Sequence, residues 1–301
     1  MKSLKELIKE SEAGHVAIGH FNISDLAALK AIFAATQELT PKTTAIFGDK
    51  LPILIGTSEG EREFIGPKQA AALVKSLREE YNWPIFLNAD HTHSFEKIKE
   101  AFDAGYDALL FDGGKLPLEE NIKQTKQVVD YVKSKNPEIL VEGELGYIGG
   151  SSEILDKLPE GAAIELKDFT TPEEAARFVK ETGVDLLAPA VGNIHGMVLG
   201  GNEPTLNIQR ISEIKKAIGE TGIVLHGGSG TSDADFTNAI AAGVSIIHIN
   251  TEIRLAWRKG MEKYLADYPK EIAPYKIFPG AIEAIKEVVY KRLKLFNNLE
   301  N

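Results

Sequence analysis

The stretch IFLNADHTHSFEKIKEAFDAGYDALLFDGG, residues 85–114, predicts one complete strand-helix-strand unit. Its two ends, 85–91 and 108–113, are short apolar runs bounded by Asn, Asp and Gly, which is typical of buried strands. The segment between them has apolar residues at helical spacing, and Ser94 and Gly105 are suited to begin and end that helix. The stretch therefore predicts one βα repeat followed by the next strand of a parallel sheet.

The same alternation continues along the chain. Amphipathic segments such as DLAALKAIFAATQEL and TPEEAARFVKETG separate apolar runs of strand length, and Pro172 with two acids marks a helix start. The predicted strands are VAIGHFN (16–22), ILIGTS (53–58), IFLNADH (85–91), ALLFDG (108–113), ILVEGEL (139–145), LLAPAVGNIH (186–195), IVLHGGS (223–229) and SIIHIN (245–250). Eight strands alternating with helices predict the α/β class and a (β/α)8 TIM barrel.

The chain is expected to form one domain over residues 1–301, because no linker rich in Pro, Ser or charge divides it. Barrels of this class commonly exceed about 250 residues. MKSLKELIKESEAGH predicts an extra N-terminal helix. AIEAIKEVVYKRLKLF, after Pro279-Gly280, predicts an extra C-terminal helix that closes the barrel or reaches a second subunit.

Composition limits the possible partners. The formal charge of -10 disfavours nucleic acid and anionic membrane surfaces, because it repels polyanions at long range. The absence of cysteine excludes disulfides and thiolate chemistry and is compatible with a reducing cytoplasm. The N-terminus lacks the uninterrupted apolar run of a signal peptide or membrane span. A cytoplasmic enzyme for small molecules is expected.

The histidines are concentrated at one kind of position. Six of the seven lie at or just after the carboxyl end of a predicted strand; these are His20, His91, His93, His195, His226 and His248. In a TIM barrel those ends meet on one face, where active sites are built. Imidazoles gathered there suit a catalytic Zn²⁺, although a single loop histidine can also be an ordinary hydrogen-bonded side chain.

Acidic and glycine-rich motifs accompany the histidines. Asp90 precedes His91, which places a proton-transfer carboxylate beside a candidate metal ligand. Glycines follow His195 in GNIHG and His226 in HGGSG, so backbone N–H groups could bind an anion there; a plain turn is the alternative.

The fifth predicted strand and the segment after it carry further candidates. Glu142 and Glu144 alternate along that strand, and at most one of them is expected to be a site group. The glycine-rich segment 146–153 predicts a mobile loop.

Six runs in this order carry a family resemblance: GHFNISDL, NADHTHSFEKIKEAFDAGYDALLFDGGKLPLEENI, VEGELGYIGG, GNIHG, VLHGGSG and NTEIR. Over about residues 3–290 the chain resembles the class II fructose-bisphosphate and tagatose-bisphosphate aldolases. The resemblance implies a barrel, a homodimer or homotetramer, and one catalytic Zn²⁺ per chain, with a monovalent cation left open. It also implies cleavage of a ketose bisphosphate to dihydroxyacetone phosphate and an aldehyde through a zinc-stabilised enediolate.

The resemblance also implies roles for individual residues. His91, His195 and His226 would be the zinc ligands, with Glu144 approaching the metal in some members. Asp90 would be the acid/base group. The implied substrate-binding residues are Asn22, Ser58, Gly196, Gly227, Gly228, Ser229, His248, Asn250, Thr251 and Arg254.

Within that implied substrate site, the two ends of the substrate are expected to be bound by different residues. Gly196, Gly227 and Ser229 would hold the donor phosphate. Arg254 resembles the arginine that reaches a neighbouring subunit's site and binds the distal phosphate.

Three positions depart from the family pattern. The loop glutamate that exchanges the enediolate proton is replaced by Ser152, so that Glu153, one residue late, is the candidate catalytic group. The phosphate-binding lysine is replaced by Leu199, and the strand-eight asparagine by His248. His248 could donate a hydrogen bond, titrate, join the metal or act as a spacer.

These departures leave three functions open. The first is a zinc aldolase for fructose 1,6-bisphosphate, followed by tagatose 1,6-bisphosphate. The second is a related zinc lyase for a different or less phosphorylated carbonyl substrate, because an apolar Leu199 cannot neutralise a phosphate. The third is a non-catalytic partner subunit, which the retention of Asp90 and three histidines disfavours.

Overall fold

The computed structural model describes residues 1–40, 44–150, 152–201 and 203–299, with the side chains of residues 44 and 45 left out. Eight parallel strands form a closed barrel in the order β1-β2-β3-β4-β5-β7-β9-β10. These strands are β1 Ile18–Asn22, β2 Ile53–Thr57, β3 Ile85–Thr92, β4 Ala108–Phe111, β5 Leu140–Leu145, β7 Leu186–Pro189, β9 Gly222–Leu225 and β10 Val244–Ile249. The predicted TIM barrel is confirmed.

Two further strands lie outside the barrel. β6 (Ile154–Leu155) and β8 (Met197–Val198) pair in parallel above its mouth. They connect the loop after β5 to the loop after β7. The long run predicted as strand six, 186–195, ends at Pro189 in the barrel, because Gly192 and Gly196 turn the chain with φ of 102° and 95°.

Helices cover the outside of the barrel. They are α1 Leu4–Ala13, α2 Leu26–Leu39, α3 Thr44–Phe47, α4 Glu59–Ile65, α5 Pro67–Tyr81, α6 Phe95–Ala104, α7 Leu118–Lys135, α8 Pro172–Thr182, α9 Ile208–Ile218, α10 Asp233–Ala241, α11 Thr251–Asp267, α12 Pro274–Ile277 and α13 Pro279–Phe296, with a 3-10 turn at Leu166–Asp168. Ser94 caps α6 by accepting from Lys97 N at 3.3 Å, and Gly105 ends that helix at φ 93°, as predicted.

Both extra helices are present. A capping box between Ser3 and Glu6 begins α1, whose buried Leu7 belongs to the same core cluster as the barrel strands. α13 packs against α2, α11 and β1, and the Phe296 carbonyl accepts from Ala17 N at 2.9 Å. The C-terminal helix therefore completes the outer layer beside β1, while its predicted contact with a second subunit remains a prediction.

Candidate active site

Three histidines meet at the carboxyl-terminal mouth of the barrel. His91 lies near the end of β3, His195 lies in the loop after β7, and His226 directly follows β9. One ring nitrogen from each lies within 4.8 Å of those of the other two. The structure thus brings together the three residues predicted as metal ligands.

The outer nitrogen of each ring has a hydrogen-bond acceptor. His91 Nδ1 lies 2.8 Å from Asp112 Oδ2, His195 Nδ1 lies 2.9 Å from the Gly149 carbonyl, and His226 Nε2 lies 2.7 Å from Glu142 Oε1. An N–H donated to each acceptor leaves the inner nitrogens as lone pairs that face one another. Such partners fix the tautomer and orientation of metal-binding histidines.

Two of the inner nitrogens are so close that their lone pairs would repel each other. His226 Nδ1 and His91 Nε2 are only 3.1 Å apart. A shared cation between them resolves this contact, and three imidazoles with one open position are a donor set for a catalytic divalent ion. The residues at this site therefore fit a metal ion.

A backbone irregularity directs His91 into the site. His91 has φ 43°, which is unusual for a residue with a side chain, and the β3–β4 pairing shifts register between Ala89 and Thr92. A bulge of this kind re-aims a side chain at a strand end. Buried Arg62 stabilises the bulged segment by donating to the Asp90 carbonyl at 3.0 Å and to Thr92 Oγ1 at 2.8 Å.

Both glutamates of β5 belong to the site, so the expectation of at most one was wrong. Residues two apart on a strand point to the same face, and Glu142 and Glu144 are both buried inside the barrel. Glu142 accepts from His226, whereas Glu144 Oε2 lies 3.5 Å from His91 Nδ1 and has no hydrogen-bond partner. Burial and the neighbouring Asp112 carboxylate raise the pKa of Glu144 well above its usual value.

Asp90 lies where an acid/base group is needed. Its Oδ2 accepts from Asn22 Nδ2 at 2.9 Å. Its Oδ1 has no hydrogen-bond partner and lies 3.8 Å from His91 Nε2 and 3.9 Å from His226 Nδ1. Although burial opposes ionisation, His91 and His248 hold the pKa of Asp90 well below its usual value. A buried aspartate carboxylate with one unpartnered oxygen therefore borders the metal position.

A polar network runs from Asp90 to Arg254. Asn22 Nδ2 also donates to buried Glu61 at 2.8 Å, and Glu61 accepts from Ser58 N at 2.8 Å and from Arg254 Nη2 at 2.7 Å. Glu61 was not among the predicted site residues, because in the sequence it is one of several charged residues of a short helix, α4. Arg254 was expected to reach a neighbouring subunit's site, and here it borders the pocket of its own chain.

His20 and His248 form a second histidine group. They are cross-strand partners in β1 and β10, and their rings stack with centroids 3.4 Å apart and planes within 1°. Both nitrogens of His248 lack a hydrogen-bond partner, although Nδ1 lies 3.3 Å from Asp90 Oδ1. Burial lowers the pKa of His20 to about 3 and that of His248 well below its usual value. His93 belongs to neither group: its side chain is 60% exposed, and its Nδ1 lies 3.6 Å from Asp112 Oδ2, the acceptor of His91.

A small concavity beside the histidines contains the predicted anion-binding residues, namely Gly196, Gly227, Ser229, Asn250 and Thr251. Gly227 has φ 62°, and a Cβ there would meet the Ile194 carbonyl oxygen at 2.2 Å, so only glycine is suited to this turn. Gly228 N donates to the His248 carbonyl at 3.2 Å, which fixes the turn against β10.

The loop after β5 is held across the mouth. Met197 N donates to the Glu153 carbonyl at 2.9 Å, and Arg254 Nη1 donates to the Ser152 carbonyl at 3.1 Å. Ser152 lines the pocket, whereas the Glu153 side chain is exposed and does not line it in this conformation. Leu199 is 58% exposed. Residue 151 of the predicted mobile loop lies outside the described residues.

Asp90, His91, His195 and Arg254 are among the residues that line a cavity of about 260 Å³ at this mouth. A TIM barrel with three convergent histidines, a buried aspartate and a polar cavity at its catalytic face is a barrel enzyme with a candidate metal centre. The chain belongs to the class II fructose-bisphosphate aldolase family, whose model, described as "Fructose-bisphosphate aldolase class-II", matches residues 2–301. It is therefore a class II aldolase, a lyase.

Individual relatives agree with this membership. The chain is 36% identical to a fructose-bisphosphate aldolase of Geobacillus stearothermophilus, over 98% of this chain and 96% of that protein. It is 34% identical to a probable fructose-bisphosphate aldolase of Bacillus subtilis, over 98% and 97%. The crystal structure of the YdjI aldolase from Escherichia coli K12 superposes with a TM-score of 0.80 at 28% identity, covering 98% and 96% of the two chains. Among the described residues, no helix has the length and apolar character needed to cross a membrane.

Proposed function

We propose that this enzyme catalyses reversible, metal-dependent aldol cleavage of a phosphorylated ketose. The observation that supports this most directly is the convergence of His91, His195 and His226 with their outer nitrogens already hydrogen-bonded. The unpartnered oxygen of Asp90 faces the same point. A metal site next to an ionised carboxylate is what removal of a hydroxyl proton beside a polarised carbonyl requires.

The roles of the residues follow from their positions. His91, His195 and His226 would hold Zn²⁺, the predicted ion, which supplies Lewis acidity at the ketone oxygen when bound. Asp90 takes the proton of the C4 hydroxyl as the C3–C4 bond breaks, and Asn22 holds its second oxygen in place. Glu144 has its Oε2 3.5 Å from the outer Nδ1 of His91, so its side chain would have to turn inward to approach the ion.

The remaining predicted residues would bind substrate. Arg254 would hold an anionic group at the pocket rim, where its fork suits phosphate or carboxylate. Ser229 and the adjoining glycines would contact the end of the substrate next to the metal. Glu153 would return the proton to C3, and this role requires the loop to move, because the Glu153 carboxylate is exposed in the present conformation.

The names of the relatives support fructose 1,6-bisphosphate as the first substrate to test, with tagatose 1,6-bisphosphate next. The products would be dihydroxyacetone phosphate and an aldehyde. A second candidate function, cleavage of a less phosphorylated ketose at the same site, is favoured by the exposed Leu199 at the position of the family's phosphate-binding lysine. A homodimer or homotetramer, a cytoplasmic location and a bound monovalent cation stay predictions.

The test combines metal content with catalysis. Purified protein is expected to contain about one zinc ion per chain and to cleave fructose phosphates, and chelation is expected to remove both. Restoring activity with Zn²⁺, and comparing Mn²⁺ and Co²⁺, identifies the ion. Cleavage that persists at full rate after complete metal removal would contradict the proposal.

A further inference from the structure

We infer that Arg62 is a positioning residue for the reaction. Its guanidinium holds the bulge of β3 in the form that turns two consecutive residues, Asp90 and His91, towards the metal position. The inference rests on the proposed function, in which Asp90 is the base and His91 is a metal ligand, and it explains how one strand supplies both.

Two consecutive residues of a regular strand point to opposite faces. Asp90 and His91 nevertheless both line the cavity, and Asp90 Oδ1 lies 3.8 Å from His91 Nε2. The left-handed backbone of His91, at φ 43°, and the register shift between Ala89 and Thr92 make this arrangement possible. Such a backbone conformation is unfavourable for a residue with a side chain, so the surrounding structure has to maintain it.

The guanidinium of Arg62 spans this irregular segment. Nη1 donates to the Asp90 carbonyl at 3.0 Å and Nη2 donates to Thr92 Oγ1 at 2.8 Å, so that one planar group bonds on both sides of His91. Nη1 also donates to the Thr57 carbonyl at the end of β2, which ties the bulge to the neighbouring strand. A lysine ammonium could not span these acceptors, because it offers a single nitrogen.

The burial pattern of α4 supports a role beyond packing. The buried side chains of this helix are the charged ones, Glu61 and Arg62, whereas Phe64 is 79% exposed. Apolar burial alone does not account for this orientation, because it would favour the opposite one. Both charged residues are directed to Asp90: Glu61 bonds Asn22, which bonds Asp90 Oδ2, and Arg62 bonds the main-chain carbonyl.

Arg62 is a costly residue to bury at this position. It is 4% exposed, and burial lowers the pKa of its guanidinium, because the charge is removed from water. Its three acceptors are uncharged oxygens, and within the described residues no carboxylate forms an ion pair with it. Buried ion pairs can often be replaced by apolar residues without loss of stability, and an unpaired buried cation is less favourable still. The stability of the barrel therefore does not explain this arginine, whereas the geometry of the bulge does.

One residue would thus position both the base and the ligand. If the bulge relaxes towards a regular strand, the His91 ring turns away from His195 and His226, and Asp90 Oδ1 moves from the metal position. A displacement of about 1 Å can lower a rate by about a hundredfold. Loss of the Arg62 bonds should therefore lower kcat and metal affinity together, whereas loss of a purely structural residue would lower stability alone.

The test replaces the planar group and keeps the charge. In Arg62→Lys, kcat for fructose 1,6-bisphosphate should fall about tenfold to a hundredfold with KM nearly unchanged, and zinc affinity, measured by competition with a chromogenic chelator, should fall about tenfold. Arg210→Lys is the matched control, because the Arg210 side chain is 15% exposed and donates to the carbonyls of Phe169 and Thr170. The control should keep both values. Equal results in the two variants would make Arg62 a structural residue and overturn the inference.

A second variant keeps the test decisive if Arg62→Lys does not fold. Thr92→Val removes only the acceptor of Nη2 and preserves the shape of the side chain, so kcat should fall about fivefold, the value of one hydrogen bond. The double variant should be no slower than Arg62→Lys, because both changes act on the same contact. Unchanged kcat in Thr92→Val, or a double variant slowed by the product of the two single effects, would overturn the inference.

Failure of the proposed function would be distinguishable from failure of this inference. Unmodified protein that binds zinc but cleaves no fructose phosphate would overturn the proposed function. The zinc affinities would still test whether Arg62 positions His91: a loss confined to Arg62→Lys supports that role, and equal affinities in Arg62→Lys and Arg210→Lys overturn it.

Discussion

The two groups of histidines in the barrel mouth differ in what holds their rings. His91, His195 and His226 each have an acceptor on the outer nitrogen, so their inner nitrogens point to one place. His20 and His248 stack on each other; His20 Nε2 lies 3.2 Å from Asn88 Nδ2, an amide donor, and both nitrogens of His248 lack a hydrogen-bond partner. Burial within the barrel mouth is therefore not what distinguishes a candidate metal ligand. The hydrogen bond on the far side of the ring does so, because it fixes which nitrogen has a free lone pair.

The largest effect should follow the loss of a ligand. His226→Ala removes one of the three inner nitrogens, and the bound metal contributes several kcal/mol to catalysis, so cleavage should fall by about a thousandfold or more. Metal content measured by atomic emission should fall together with the rate. His20→Phe, which retains a ring in the second group, should keep about one ion per chain. Equal metal loss in both variants would remove the distinction between the two groups.

Asp90 lies between the two groups, and its loss should separate chemistry from metal binding. Asp90→Asn keeps the shape of the side chain and removes the base, so kcat should fall by about a hundredfold to ten-thousandfold. Metal content should be unchanged, because the three ring nitrogens remain. Asp49→Asn, at an exposed aspartate, is the control. An Asp90→Asn protein that lost its metal would make Asp90 a ligand instead of an acid/base group.

Much of this site could be predicted from sequence, because strand ends of a barrel share one face. That rule placed His91, His195, His226 and Asp90 together without any distance information. The acceptors of the outer ring nitrogens could not be predicted. Asp112 and Glu142 reach His91 and His226 from other parts of the barrel, and the sequence does not specify how side chains on different strands are oriented towards one another. The expectation that only one of Glu142 and Glu144 belongs to the site was also wrong, because residues two apart on a strand point to the same face.

The stacked pair was beyond sequence reasoning for a different reason. His20 and His248 are partners only because the first and last barrel strands close with that register. Nothing in either strand alone specifies the closure. Gly56 on β2 contributes as well, because a Cβ there would lie 2.1 Å from His20 Cε1, so the space for the ring depends on a third strand.

A smaller effect should follow the loss of an outer acceptor. Glu142→Gln weakens the hydrogen bond to His226 Nε2 without removing a ligand, and metal affinity should fall about tenfold to a hundredfold. Competition with a chromogenic chelator measures this affinity. Glu138→Gln, at an exposed glutamate near the start of the same strand, should bind metal as the unmodified protein does. Unchanged affinity in Glu142→Gln would show that ring orientation here does not depend on the acceptor's charge.

The stacked pair should affect how the free energy of unfolding depends on pH under acidic conditions. Burial lowers the pKa of His20 to about 3 from 6.5, so below pH 6.5 the unfolded chain takes up a proton that the folded chain does not. The contribution of His20 to stability is therefore complete above that pH and is lost as pH falls towards 3, by about 1.4 kcal/mol per pH unit. In urea unfolding of the metal-free protein, His20→Phe should make the acid slope shallower by about that amount, whereas His15→Phe, at an exposed histidine, should leave it unchanged. Identical slopes in all three proteins would mean that His20 takes up its proton without unfolding the barrel, and that stacking on His248 tolerates the charge.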